Sequence, residues 1–136
     1  MKKVLIIDDD KTSREIVKRA VESRNYMAIQ SGNGRHGWET LWENNDIEFI
    51  ITDMAMPDMD GRELLHLIRS DETLREIPVI IISGCFNSEE LAPLLKISPT
   101  KTLFLPKPLD TKLLQKHIEA LLSSIESGKE GGLHSN

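Results

Sequence analysis

At 136 residues, 39% of them hydrophobic and 29% charged, the chain has the composition of one globular domain with one core. A net charge of −5 and the lack of any basic run exclude a surface that tracks phosphates, so nucleic acid is not expected as a direct partner. Met1-Lys2-Lys3 and the four apolar residues after it are too short for a signal peptide or a membrane span, and the single Cys85 excludes an internal disulfide. A reducing, cytoplasmic setting away from membranes fits both facts.

Taken in order, short apolar segments alternate with amphipathic ones, the pattern of an α/β parallel sheet. Val4 to Ile7 predicts the first strand. Asp8, Asp9 and Asp10 follow it, and Thr12 or Ser13 can cap a helix with Ile16, Val17, Ala20 and Val21 on one face. Tyr26 to Gln30 is a weaker second strand, and a glycine-rich turn leads to a helix from about Arg35 to Asn44 that buries Trp38, Leu41 and Trp42. Ile47 to Thr52 is short, β-branched and bounded by polar residues, so it reads as a buried third strand ending at Asp53. Asp60 is placed to cap a helix from about Arg62, with Glu63 reaching back as in a capping box and Leu64, Leu65, Leu67 and Ile68 turned inward.

Pro78 opens the fourth strand, Val79 to Ile82, which ends at Ser83-Gly84. The segment from Asn87 to Ile97 contains Pro93, which predicts a short or irregular fourth helix capped by Ser88. Thr102 to Leu105 is the fifth strand, stopped by Pro106-Lys107-Pro108. Asp110 to Leu122 then predicts a last helix with Leu113, Leu114, Ile118, Leu121 and Leu122 inward. The domain is expected over residues 1–122, with 123–136 as a flexible tail rich in Ser, Gly, Glu and Lys.

In an open, doubly wound parallel sheet, ligands bind outside the carboxyl ends of the strands, where the winding reverses. Asp8, Asp9, Asp53, Ser83 and Lys107 all map to that edge. Three neighbouring carboxylates repel one another, and a hard divalent cation with oxygen ligands, Mg²⁺ above all, offsets the repulsion. A lysine and a hydroxyl beside the metal suit a phosphoryl group, and the remaining carboxylate can be the nucleophile that forms an aspartyl phosphate.

From about Lys3 to Leu122 the chain resembles the receiver domains of two-component response regulators. The resemblance rests on Val4-Leu-Ile-Ile-Asp-Asp-Asp10 with Arg14 behind it, Thr52-Asp-Met-Ala-Met-Pro-Asp-Met-Asp-Gly61, Ile77-Pro-Val-Ile-Ile-Ile-Ser83 and Phe104-Leu-Pro-Lys-Pro108. It implies a flavodoxin-like fold of five parallel strands ordered 2-1-3-4-5, with helices on both faces. Asp53 would be the phosphoacceptor, and Mg²⁺ would be held by Asp9, Asp53 and the backbone carbonyl of Ala55, with Asp8 acting mainly through a metal-bound water. Lys107 would pair with the phosphoryl group, Ser83 would move to bond it, and Phe104 would turn inward as the signal. The Lys107-Pro108 peptide would be cis. The donor would be a sensor histidine kinase or a histidine phosphotransfer protein, the output a further protein, and the chain a reactant more than a turnover enzyme. Ala55 and Cys85 would flank the line of water attack; neither orients a water well, so slow loss of phosphate is expected.

The chain departs from the family at Ser98-Pro99-Thr100-Lys101, where a Gly-Ala pair is usual, and at Pro93; both fall on the usual signalling face. No effector domain follows, which suits either a single-domain receiver or a piece of a longer protein. Two other motifs compete. Gly32-Asn-Gly34-Arg-His-Gly37 has the spacing of a dinucleotide fingerprint but follows the second strand, and Gly34 and Gly37 suit a turn and a close packing position. Asp8-x-Asp10-x-Thr12 has the form of a haloacid-dehalogenase phosphatase motif with Asp8 as nucleophile, a reading that leaves Asp53 unexplained. The histidines at 36, 66, 117 and 134 lack metal-ligand spacing.

Overall fold

A computed structural model describes residues 2–84 and 101–134; for Leu122 and the residues after Ser123 it describes the backbone course alone. The predicted helix around Asn87 to Ile97, with Pro93, therefore lies outside the described residues, as does Cys85. The elements are β1 (Lys3–Ile7), α1 (Lys11–Glu22), β2 (Met27–Ser31), α2 (Gly34–Glu43), β3 (Ile47–Asp53), α3 (Gly61–Ser70), β4 (Val79–Ser83), β5 (Thr102–Pro106) and α4 (Thr111–His134). All strand pairs are parallel and the sheet order is β2-β1-β3-β4-β5, as the resemblance implied.

Side chains alternate across the pleat with a period of two, and the central strands are apolar on both faces because helices cover both. Val4 and Ile6 of β1, Phe49 and Ile51 of β3 and Ile80 and Ile82 of β4 pack with Val17, Ala20 and Val21 of α1 and Leu114 and Ile118 of α4. Leu5 and Ile7, Ile50, and Val79 and Ile81 point the other way, against Leu41 of α2 and Leu64, Leu65 and Ile68 of α3. The last three are fully buried, each contributing about 1.5–3 kcal/mol of transfer free energy.

Several local expectations are corrected. The cap of α1 is Asp10, whose carboxylate accepts from the Ser13 N–H at 2.9 Å and the Ser13 hydroxyl at 2.7 Å; neither Thr12 nor Ser13 is the cap. A cap of this kind is worth about 1 kcal/mol. Asp60 does cap α3, accepting from the Glu63 N–H at 2.8 Å, but among the described residues the exposed Glu63 carboxylate makes no return bond. β2 starts one residue later than expected. Tyr26 is spent in the core instead, edge-on to Phe49 at 5.5 Å, and Asn25 makes the preceding turn at φ 64°.

Ile16 and Trp42, expected inside, are 41% and 54% exposed. α2 covers β2 and β1 at the rim of the sheet, so Trp38 reaches the core while Trp42, one turn on, overhangs it; the two rings meet edge to face at 5.7 Å. Asp110 caps the last helix, accepting from the Lys112 and Leu113 N–H groups at 3.0 and 3.3 Å. The helix then passes the predicted end at Leu122 and runs to His134, in a stretch with no proline to remove a backbone donor.

A second polar feature braces the opposite end of the sheet from the strand-end aspartates. The Arg69 guanidinium of α3 donates to the carbonyls of Arg75 (3.0 Å) and Ile77 (2.6 Å) ahead of β4, and to the Lys101 carbonyl (3.0 Å) and the Thr102 hydroxyl (3.1 Å) at the start of β5. Burial pulls this guanidinium down from its ordinary pKa, with Glu76 acting the other way.

Candidate functional site

The winding reverses between β1 and β3, and the residues gathered at the carboxyl edge there are the ones the sequence placed at strand ends. Asp8 and Asp9 leave β1, Asp53 ends β3, Ser83 ends β4 and Lys107 follows β5. Register enforces their proximity, since Ile7 lies opposite Thr52, Asp53 opposite Ile82 and Ser83 opposite Pro106. Two backbone bonds tie the loops at this edge, Met54 N–H to Ile82 O at 2.9 Å and Lys107 N–H to Ser83 O at 2.9 Å. The Lys107-Pro108 peptide is cis, as expected.

Carboxylate oxygens of Asp8, Asp9 and Asp53 lie within 4.8 Å of one another. Asp8 and Asp53 are each 4% exposed, and Asp9 is open to solvent. Lys107 Nζ stands 2.8 Å from Asp53 Oδ1. The contact is charge-assisted, and a carboxylate oxygen with two lone pairs keeps acceptor capacity beyond this one partner. Asp8 Oδ1 is committed differently, accepting from the Asp10 N–H at 2.8 Å.

Charge is held in tension here. Burial pushes the Asp8 carboxyl above the usual carboxylate range, the Asp10 N–H opposes it, and the Asp53 charge adds to the rise. Burial alone would lower the Lys107 ammonium, yet Asp53, then Asp8 and Asp9, outweigh it and hold the group above its ordinary value. The rise at Asp8 comes chiefly from lost solvent, whereas the rise at Lys107 reflects the acidic groups gathered around it. Three hard oxygen donors, one of them buried with capacity to spare, fit a small divalent cation that prefers carboxylates and water.

Ser83 is buried at the same edge, and Phe104 of β5 is half-buried against the cluster under α2 and α3. Ala55 is exposed in the loop two residues past Asp53. Among the described residues, no histidine joins the acidic group; His36 Nδ1 is 2.9 Å from the Ser31 hydroxyl. The glycine motif is used for packing. A Cβ at Gly34 would collide with the Met59 carbonyl, and one at Gly37 with Ile7 Cδ1. Gly61 is equally confined, since its Cβ would come within 2.7 Å of the Asp53 carbonyl oxygen. The loop carrying Asp53 is thus pressed between the starts of α2 and α3. Sequence reasoning gave no role to Arg14, whose Nη1 donates to the Asp8 carbonyl at 2.6 Å.

The response regulator receiver domain family matches residues 4–119. Chemotaxis protein CheY1 of Helicobacter pylori is 32% identical over 123 residues, 90% of this chain and 98% of that protein. The two-component response regulator-like protein APRR7 of Arabidopsis thaliana is 31% identical over 138 residues, 97% of this chain but 19% of that protein. Among solved structures, the signal receiver domain of a signal transduction histidine kinase from Syntrophus aciditrophicus superposes with a TM-score of 0.81 at 29% identity, covering 92% of each chain. No helix among the described residues is long and apolar enough to cross a membrane.

Proposed function

The chain belongs to the response regulator receiver family, and from that premise we propose that it is a phosphorylation switch in which Asp53 takes a phosphoryl group from a phosphohistidine on a sensor histidine kinase or a histidine phosphotransfer protein. The observation that carries this reading is the buried Asp53 carboxylate, 2.8 Å from Lys107 Nζ and grouped with Asp8 and Asp9. An Asp53 oxygen attacks phosphorus, the phosphorus–nitrogen bond to the donor imidazole breaks, and the imidazole leaves with the electron pair. Asp53 is preferred to Asp8 as acceptor because Asp8 Oδ1 is tied to the Asp10 N–H, whereas Asp53 Oδ1 faces Lys107, the cation that can pair with the incoming phosphoryl oxygens.

Asp9, Asp53 and the Ala55 carbonyl would hold Mg²⁺, with Asp8 assisting, and the bound ion would supply charge neutralisation for the phosphoryl oxygens. Lys107 gives up its contact with the free carboxylate and pairs with the phosphoryl group. Ser83 donates to it, and Phe104 turns inward beside Ser83 to alter the surface that a downstream protein reads. The protein is consumed as a reactant and reset by hydrolysis. The test is phosphotransfer from a panel of sensor kinases with Mg²⁺, read by intact mass.

Two expected outcomes probe this site. Asp9→Ala weakens Mg²⁺ binding by at least about tenfold, a loss of about 1.4 kcal/mol, and His36→Ala leaves it unchanged, by calorimetric titration. Equal effects would remove the acidic residues from the metal site. Ala55→Asn shortens the lifetime of the phosphorylated protein by roughly tenfold, because an amide can orient a water opposite the Asp53 oxygen where a methyl cannot. An unchanged decay, with uptake intact, would show that water alignment does not limit the lifetime.

A further inference from the structure

The three acidic side chains are not equally held. Asp53 ends a strand and is buried. Asp8 is fixed at three points: its N–H donates to Ser31 O at 3.1 Å, its Oδ1 accepts from the Asp10 N–H at 2.8 Å, and its carbonyl accepts from Arg14 Nη1 at 2.6 Å. Asp9 is exposed, and among the described residues its carboxylate has neither a hydrogen bond nor an ion pair. Its direction therefore rests on the backbone that carries it. The peptide joining Asp8 to Asp9 is planar, so fixing the Asp8 carbonyl oxygen fixes the plane from which the Asp9 Cα and Cβ depart. Arg14 provides that fix from a rigid base, since its N–H bonds Asp10 O at 3.0 Å and its helix is seated by Val17, Ala20 and Val21.

We infer that Arg14 is a positioning residue for the divalent cation, orienting the Asp9 carboxylate through the Asp8–Asp9 peptide without touching any carboxylate. The inference rests on the reading that Asp8, Asp9 and Asp53 hold Mg²⁺. Simple electrostatics predicts the opposite effect of removing Arg14. A guanidinium beside a cation site repels the cation, so neutralising it should tighten binding if charge were its whole contribution. A residue that only supports the fold should lower the melting temperature and leave the affinity of the folded protein alone.

The experiment is calorimetric titration of MgCl₂ into the full chain without a phosphodonor, with thermal melts of each variant. Arg14→Met, which keeps the apolar stem, is expected to weaken Mg²⁺ binding by about tenfold, and Arg14→Lys by less, because an ammonium keeps a donor but not the reach of the fork. Equal or tighter binding by Arg14→Met overturns the inference. Should Arg14→Met fail to fold, Arg14→Lys decides: weaker binding than wild type supports the inference, and equal or tighter binding overturns it. Wild type that binds no Mg²⁺ overturns both this inference and the metal site. Wild-type binding that Asp9→Ala weakens and Arg14 variants do not overturns this inference alone.

Discussion

Asp53→Asn is expected to take up no phosphoryl group from any donor that labels the wild type. The substitution keeps the shape of a side chain that is 4% exposed, but the amide lacks the anionic oxygen that must attack phosphorus. Lys107 loses its ion-pair partner at 2.8 Å, and Asp8 loses a neighbouring like charge, so the two local changes oppose each other and the fold should persist. Intact mass after incubation with donor and Mg²⁺ reads uptake, and a thermal melt reads folding. A folded Asp53→Asn that still gains one phosphoryl group would move the acceptor elsewhere. Asp8→Asn would then be the next variant, since Asp8 is the nucleophile of the competing phosphatase reading.

Arg69→Ala should produce a large loss of stability for the substitution of a polar side chain away from the acidic edge. Four acceptors lose a charged donor together: the Arg75, Ile77 and Lys101 carbonyls and the Thr102 hydroxyl. The Lys101 carbonyl keeps the Val79 N–H, so the loss is below the sum of four bonds. An expected cost of about 3 kcal/mol follows from the usual worth of hydrogen bonds to a charged group, corresponding to a fall in melting temperature of roughly 10 °C for a domain of this size. Arg69→Lys should recover less than half of it, because an ammonium cannot span acceptors ahead of two strands at once. Urea unfolding measures both. A loss under about 1 kcal/mol for Arg69→Ala would mean that β4 and β5 hold their ends without the brace.

The parts of this molecule legible in its sequence are those governed by local pattern. Ile47 to Thr52 could be read as a strand because the run is short, β-branched and bounded by polar residues; Asp53 alone says little, and the five strand ends became a candidate site only once a parallel sheet was assumed. The misses lie where the deciding neighbour is distant. Trp42 follows Trp38 at helical spacing, and no local rule says that α2 sits at the sheet rim and leaves its last turn overhanging. Arg69 resembles any polar residue near the end of a helix, since its partners at Lys101 and Thr102 lie across the fold. Asp10 was within reach: an Asp three residues ahead of Ser13 is a cap signal, eclipsed by the hydroxyls that follow it.

The tryptophan pair on α2 has a spectroscopic consequence. The chain has two tryptophans, at 38 and 42, one packed against the core and the other 54% exposed, with their rings nearly perpendicular at 84°. Indole emission excited at the red edge, where the single tyrosine does not absorb, therefore originates entirely in one helix. That helix adjoins the Asp53 loop through the contact of Gly34 with Met59. The protein carries a built-in optical probe of α2, with a shielded chromophore and a quencher-accessible one in a single turn, and iodide would separate their contributions without any label.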